Sequence, residues 1–256
     1  MVDDARTAGL DVTFDSYPYR RGCTILAMLA LPRWLDDTDL DRVVDQLGDP
    51  EVRQRVAGGL DPGVLARITI AHAPHPDWEW TAGASLPAVA GELGRPVPEV
   101  LLDLLVDTGL GASAVIEQPP TTDAAALRAL LRHPAQVGGS DGIYVGAHPH
   151  PRGWGTFARL LGRHVRELGD WSWSQAAGHL AAHPARRFGL TDRGVLRPGM
   201  AADLCLVDPD TVTDRATYAA PRTLAVGVDD VIVNGVPVLR AGQLTGALAG
   251  EALTPQ

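Results

Sequence analysis

Strand-forming sequence is scarce in the first 190 residues, and that scarcity limits the architectures open to the chain. Three runs qualify: Asp11-Val12-Thr13-Phe14-Asp15, closed by Tyr17-Pro18-Tyr19; Arg67-Ile68-Thr69-Ile70-Ala71-His72; and Ala135-Gln136-Val137-Gly138-Gly139. Helical stretches separate them at 25–31, 40–47, 51–56, 86–93, 98–107 and 122–131, and two more follow near 157–168 and 174–180. Strands alternating with helices predict an α/β domain with parallel pairing. A parallel sheet that closes into a barrel requires eight strands, since an open one exposes hydrogen-bonding edges. Two or three are too few. From Gly194 onward short β-prone runs broken by Gly and Pro predict a small antiparallel unit. The expected division is 1–190 for the α/β part and 191–256 for the β-rich part.

The opening, Val2 to Leu10, reads as the last turns of a helix ending at Gly9, with no N-cap ahead of it. A domain that starts inside a helix is expected to have lost what precedes it; a short natural first helix is the plain alternative. The acidic Met1-Val2-Asp3-Asp4 is unlike a basic signal peptide, and no apolar run reaches the roughly 18 residues of a membrane span. Two cysteines, Cys23 and Cys205, supply neither a disulfide framework nor paired zinc-ligand spacing, so a cytoplasmic location is expected. Net charge is −9 and the 22 basic residues are all arginine, without a basic stripe, which argues against nucleic-acid binding. Without lysine, the chain itself can form neither a Schiff base nor a lysine carbamate bridging two metals.

Ser140-Asp141-Gly142 follows an apolar strand, which puts Asp141 where barrel enzymes place catalytic groups. An aspartate there can ligate a divalent metal and exchange a proton with its water; an Asp-Gly turn is the plain alternative. The same residues fit G-x-S-x-G, but that motif needs a helix after the turn, and the prolines of Ala147-His148-Pro149-His150-Pro151 forbid one. His148 and His150 have H-x-H spacing, and His72 with His75 offers another histidine pair; imidazole suits zinc, but neither pair completes a site, and surface or packing roles are the plain alternative. Trp78, Glu79 and Trp80 are read as a pocket mouth or a loop cap. Arg152 is placed to clamp a carboxylate through its planar fork, or to hold its loop by a salt bridge.

Three segments together resemble the D-aminoacylase branch of the amidohydrolase superfamily, the N-acyl-D-amino-acid deacylases. They are Asp15-Ser16-Tyr17-Pro18-Tyr19-Arg20-Arg21-Gly22-Cys23-Thr24; Ser140-Asp141-Gly142 with His148-Pro149-His150-Pro151-Arg152-Gly153-Trp154-Gly155-Thr156-Phe157; and Pro184 to Leu190 with Arg193 to Leu204 and Val231 to Val236. Residues 25 to 120 match weakly. The second segment is specific to the branch, and the third is common to many amidohydrolases.

The resemblance implies the C-terminal part of a metal-dependent (β/α)8 barrel. Val12-Phe14 would be its seventh strand, Gln136-Gly139 its eighth, and about 24–133 a long insertion; a β-sandwich segment follows. It also implies Zn2+ and hydrolysis of N-acyl-D-amino acids, small-molecule substrates. Asp141 would be metal ligand and proton shuttle, with Tyr17, Cys23 and Arg152 around the substrate carboxylate. Cys23 stands where the family usually has a serine, and a thiol is the weaker donor. The remaining ligands, among them an H-x-H, are expected upstream of Met1, so the chain alone is expected to be inactive. A gene-start error, a disrupted gene or a partner chain supplying the other barrel half would each account for that. A hydantoinase or dihydropyrimidinase is the alternative among metal enzymes, disfavoured by the Y-P-Y and P-H-P-R segments. A non-catalytic remnant or subunit is the other alternative.

Overall fold

The computed structural model describes residues 1–35 and 39–254. Short polar side chains set most helix starts. Asp39, Asp49, Asp61, Ser85 and Asp123 each accept a hydrogen bond from a first-turn backbone N–H, satisfying donors that have no partner within the helix. The capped helices Leu40–Leu47, Pro50–Gly59, Leu86–Leu93 and Ala124–Leu131 lie where periodicity puts them, as does Val97–Asp107, which starts at Pro96 without a side-chain cap. The first helix, Val2–Thr7, has no side-chain cap at Met1.

Three sheets organise the strands. In the first, β1 (Phe14–Ser16) and β5 (Gln136–Gly138) pair in parallel, with Phe14 opposite Gln136 and Ser16 opposite Gly138. The second is antiparallel, with β4 (Ser113–Glu117) between β2 (Arg21–Ile25) and β3 (Ile68–His72). In the third, β6 (Leu204–Val207), β7 (Val228–Val233), β8 (Val236–Arg240) and β9 (Gln243–Leu244) form an antiparallel sheet, as the Gly- and Pro-broken tail predicts. The expectation of parallel pairing therefore holds for β1 and β5 alone. The run Arg67–His72 does form a strand, but it pairs antiparallel with β4.

The largest core is built entirely between Leu26 and Ala114. Ile68 and Ile70 of β3 pack there with Leu101, Leu104 and Leu105 of the helix Val97–Asp107, all fully buried. Each such side chain contributes roughly 1.5–3 kcal/mol by leaving water. Trp78, buried in the 3-10 turn Pro76–Thr81, donates from Nε1 to Asp107 Oδ2 at 2.8 Å and ties that turn to the helix end. A smaller cluster joins Leu131, Leu160, Val165, Trp171 and Ala176 beside β5. Here the helix Arg152–Arg159 runs without a break into a π-helical stretch, Leu160–Glu167. Among the described residues no helix is long and apolar enough to cross a membrane.

Candidate active site

Because β1 and β5 are parallel, the loops that leave them depart from the same end of the pair. One loop carries Tyr17 and leads into β2 with Cys23; the other carries Asp141 and leads to Arg152. All four residues singled out from the sequence meet at Arg152. Its guanidinium is buried, with 1% of the side chain exposed. Nη2 forms an ion pair with Asp141 Oδ2 at 2.7 Å and donates to the Cys23 carbonyl at 3.1 Å, and Cζ lies 4.5 Å from the centre of the Tyr17 ring. Nε has no acceptor. A buried guanidinium with one N–H unsatisfied is costly unless something else accepts from it.

Two glycines in this loop lie close against neighbouring side chains. A Cβ on Gly139 would lie 2.8 Å from Asp15 Oδ2, and one on Gly142 would lie 2.9 Å from the Tyr144 hydroxyl. Between them Asp141 adopts φ 47°, a left-handed conformation that aspartate tolerates better than most residues. The turn turns its carboxylate outward, and 60% of the side chain is exposed on one flank while Arg152 holds the other.

His150 fixes Arg152 in place. The Arg152 backbone N–H donates to His150 Nδ1 at 3.0 Å, and Nε2 faces the Arg21 carbonyl at 2.9 Å. A carbonyl only accepts, so Nε2 carries the proton. Tyr19 and Tyr218 pack edge-on to this ring at 5.1 and 5.2 Å, and Tyr17 is tilted at 6.1 Å. Burial, and then the Arg152 charge, push the His150 imidazolium pKa down to about 3. The ring is a neutral strut.

The Cys23 side chain packs with Ala71, Val115, Ile143 and Tyr218, where burial raises its thiol pKa and the Arg152 charge partly opposes that. Its carbonyl, not its sulfur, is what reaches Arg152. Ser140 has no helix behind it; the next one begins at Arg152, so the nucleophile-elbow context is missing. Neither histidine pair forms a metal site. Both His150 nitrogens are occupied within the protein, and His75 caps the Pro76–Thr81 turn by accepting from the Asp77 N–H. Among the described residues no three His, Cys, Asp or Glu side chains gather into a group able to hold a metal. One carboxylate paired with an arginine is not a zinc site, so the donors present do not fit zinc by themselves.

Residues 2–239 match the family described as the amidohydrolase family. The chain belongs to that family. An N-acyl-D-glutamate deacylase from Alcaligenes xylosoxydans xylosoxydans is 36% identical over 237 residues, covering 93% of this chain and 40% of that protein. A D-aminoacylase from the same organism is 34% identical over 252 residues, covering 98% of this chain and 43% of its own length. Among solved structures, that of a D-aminoacylase superposes with a TM-score of 0.74 at 31% identity, over 98% of this chain and 44% of that one. The N-acyl-D-glutamate deacylase of Bordetella bronchiseptica, complexed with zinc and a phosphonate inhibitor, superposes with a TM-score of 0.72 at 34% identity, over 96% and 45%. The chain thus shares the fold of these amidohydrolases and spans less than half the length of each.

Neither the tyrosine cage nor the role of His150 is evident in the sequence. The signal is local: an imidazole two residues ahead of an arginine can accept that arginine's own N–H, a turn-type bond more familiar from Asp and Asn.

Proposed function

We propose that this amidohydrolase chain supplies the proton-transfer aspartate and the carboxylate-binding residues of an N-acyl-D-amino-acid deacylase. The observation that carries the reading is the convergence of Asp141, Tyr17 and Arg152 at one end of the parallel β1–β5 pair. A buried arginine with an unsatisfied Nε–H is suited to an anion, and the family relatives act on acylated amino acids that carry one. In the proposed reaction water forms a bond to the acyl carbon and the C–N bond breaks. Asp141 takes the proton from that water and returns it to the departing amine. Tyr17 and Arg152 hold the substrate carboxylate, with the Cys23 position beside them.

In the same reading β1 and β5 are the last two strands of a (β/α)8 barrel, residues 24–133 are an insertion between them, and 191–256 are part of a β-sandwich. Support comes from the parallel pairing, from loops leaving one end of it, and from the separate core built between Leu26 and Ala114. Zinc then depends on further ligands from polypeptide outside these residues, with Asp141 contributing from this side.

The test is a substrate panel on the polypeptide that carries this chain. N-acetyl-D-glutamate, N-acetyl-D-aspartate and N-acetyl-D-leucine are compared with their L enantiomers and with a hydantoin, by release of free amine. Hydrolysis confined to the D series, abolished by a chelator and restored by zinc, is expected. Preferential opening of the hydantoin, or chelator-resistant activity lost in Ser140→Ala, would overturn the assignment.

A further inference from the structure

Beside Tyr19 and Tyr218, the rings that pack edge-on to His150, lies a cavity of about 370 Å³ walled in part by Arg20, Arg21, Arg128, Arg159 and Arg163. We infer that it is a second anion site, built for a small oxyanion bearing two or more negative charges, distinct from the Asp141–Arg152 site. Five guanidiniums in one cavity is notable in a chain whose net charge is −9. Three have partners that hold them still: Arg21 pairs with Glu117 at 3.1 Å, Arg128 with Asp170 at 2.8 Å, and Arg159 with Asp214 at 3.1 Å. Arg21 and Arg159 are further steadied over the rings of Tyr218 and Tyr19, at 4.3 and 4.9 Å. These pairs use one or two nitrogens of each guanidinium and leave others open. Arg20 and Arg163, both exposed, have no side-chain partner among the described residues. With three carboxylates against five guanidiniums, two positive charges remain unbalanced.

Such an arrangement suits an oxyanion. Rigid forks offer parallel N–H donors, and two unpaired arginines supply charge that closes on the ligand at little cost in existing contacts. A monoanion would satisfy only part of the surplus. Lining residues Leu127 and Leu168 form an apolar wall, which lowers the local dielectric and strengthens the attraction. None of Asp141, Arg152, Tyr17 and Cys23 lines this cavity.

Inorganic pyrophosphate is the probe, titrated calorimetrically at low ionic strength into the polypeptide that carries this chain, with acetate as the monoanion control. One saturable site with a Kd of about 1 mM or tighter is expected, with acetate failing to saturate. Arg20→Ser combined with Arg163→Ser should weaken binding at least about tenfold, since each removes charge-assisted hydrogen bonds, and should leave the melting temperature unchanged. Arg197→Ser, which removes an exposed charge outside the cavity, should leave binding intact. Absence of a saturable site, equal weakening by Arg197→Ser, or binding indifferent to the Arg20/Arg163 double variant would overturn the proposal.

Discussion

Tyr17 stands against Arg152 with its hydroxyl turned toward the gap beside Gly22, close enough that a Cβ there would lie 3.7 Å from it. A hydrogen bond to a charged group contributes roughly 1.5–3 kcal/mol. Tyr17→Phe should therefore lower kcat/KM for an N-acyl-D-amino acid by about 10- to 150-fold. The matched carboxamide should lose little, and an unchanged preference for acid over amide would remove Tyr17 from carboxylate binding. His150 makes a different prediction. Its folded pKa is about 3 against about 6.5 unfolded, so the unfolded chain binds more protons between those values. The stability it contributes is complete above about pH 6.5 and is lost as pH falls toward 3. Buried His164 shifts the same way through desolvation, so the melting temperature should fall from pH 7 to pH 5. His150→Gln should flatten that slope without abolishing it; an unaltered slope would mean that His150 is charged or unlinked. At this scale the family resemblance, not spacing, named the residues that meet at Arg152. It did not disclose the buried strut, because burial of a histidine depends on rings from Tyr19 and Tyr218, which are nearly 200 residues apart.

Helices with side-chain caps and one apolar stripe, such as Leu86–Leu93, were legible because their signals are local. β2 and β4 were not. Arg21–Ile25 carries Arg, Gly and Thr, and Ser113–Glu117 is five residues long beside glycines, so neither declares itself until the other pairs with it. The π-helical Leu160–Glu167 likewise follows from packing, not from periodicity. Gly162 within it approaches the segment 208–227 so closely that a Cβ would lie 2.5 Å from the Val212 carbonyl oxygen. Backbone cannot yield as a flexible side chain does, and Gly162→Ala should destabilise by about 1–3 kcal/mol. Gly91, in the helix Leu86–Leu93, has open space around its missing Cβ, and Gly91→Ala should stabilise by about 0.5–1 kcal/mol. Chemical denaturation of both variants measures the contrast; equal effects would contradict the close approach at Gly162.

Across the whole molecule the parallel sheet is the smallest, with two strands of three residues each. Two three-residue strands with open edges are not a stable unit in water, and parallel sheets are normally covered on both faces. Phe157 and Phe188 are also 49% and 65% exposed. Residues 1–256 produced alone are therefore expected to associate or to melt without cooperativity, while a sharp two-state melt of a monomer would contradict the barrel reading. The α/β character and the antiparallel tail could be read from the sequence, and the family resemblance named the residues that meet at Arg152. The pairing of strands 120 residues apart came from the family resemblance, which makes them neighbouring barrel strands, since register between distant segments has no local signature. The most direct test of the proposed role of Asp141 is the kcat of Asp141→Asn for N-acetyl-D-amino acids, in the polypeptide that carries this chain. Asparagine keeps an oxygen for Arg152 and removes the proton acceptor, so kcat should fall by about 10²- to 10⁴-fold with the melting temperature preserved. Retention of wild-type kcat in a folded Asp141→Asn enzyme would contradict it.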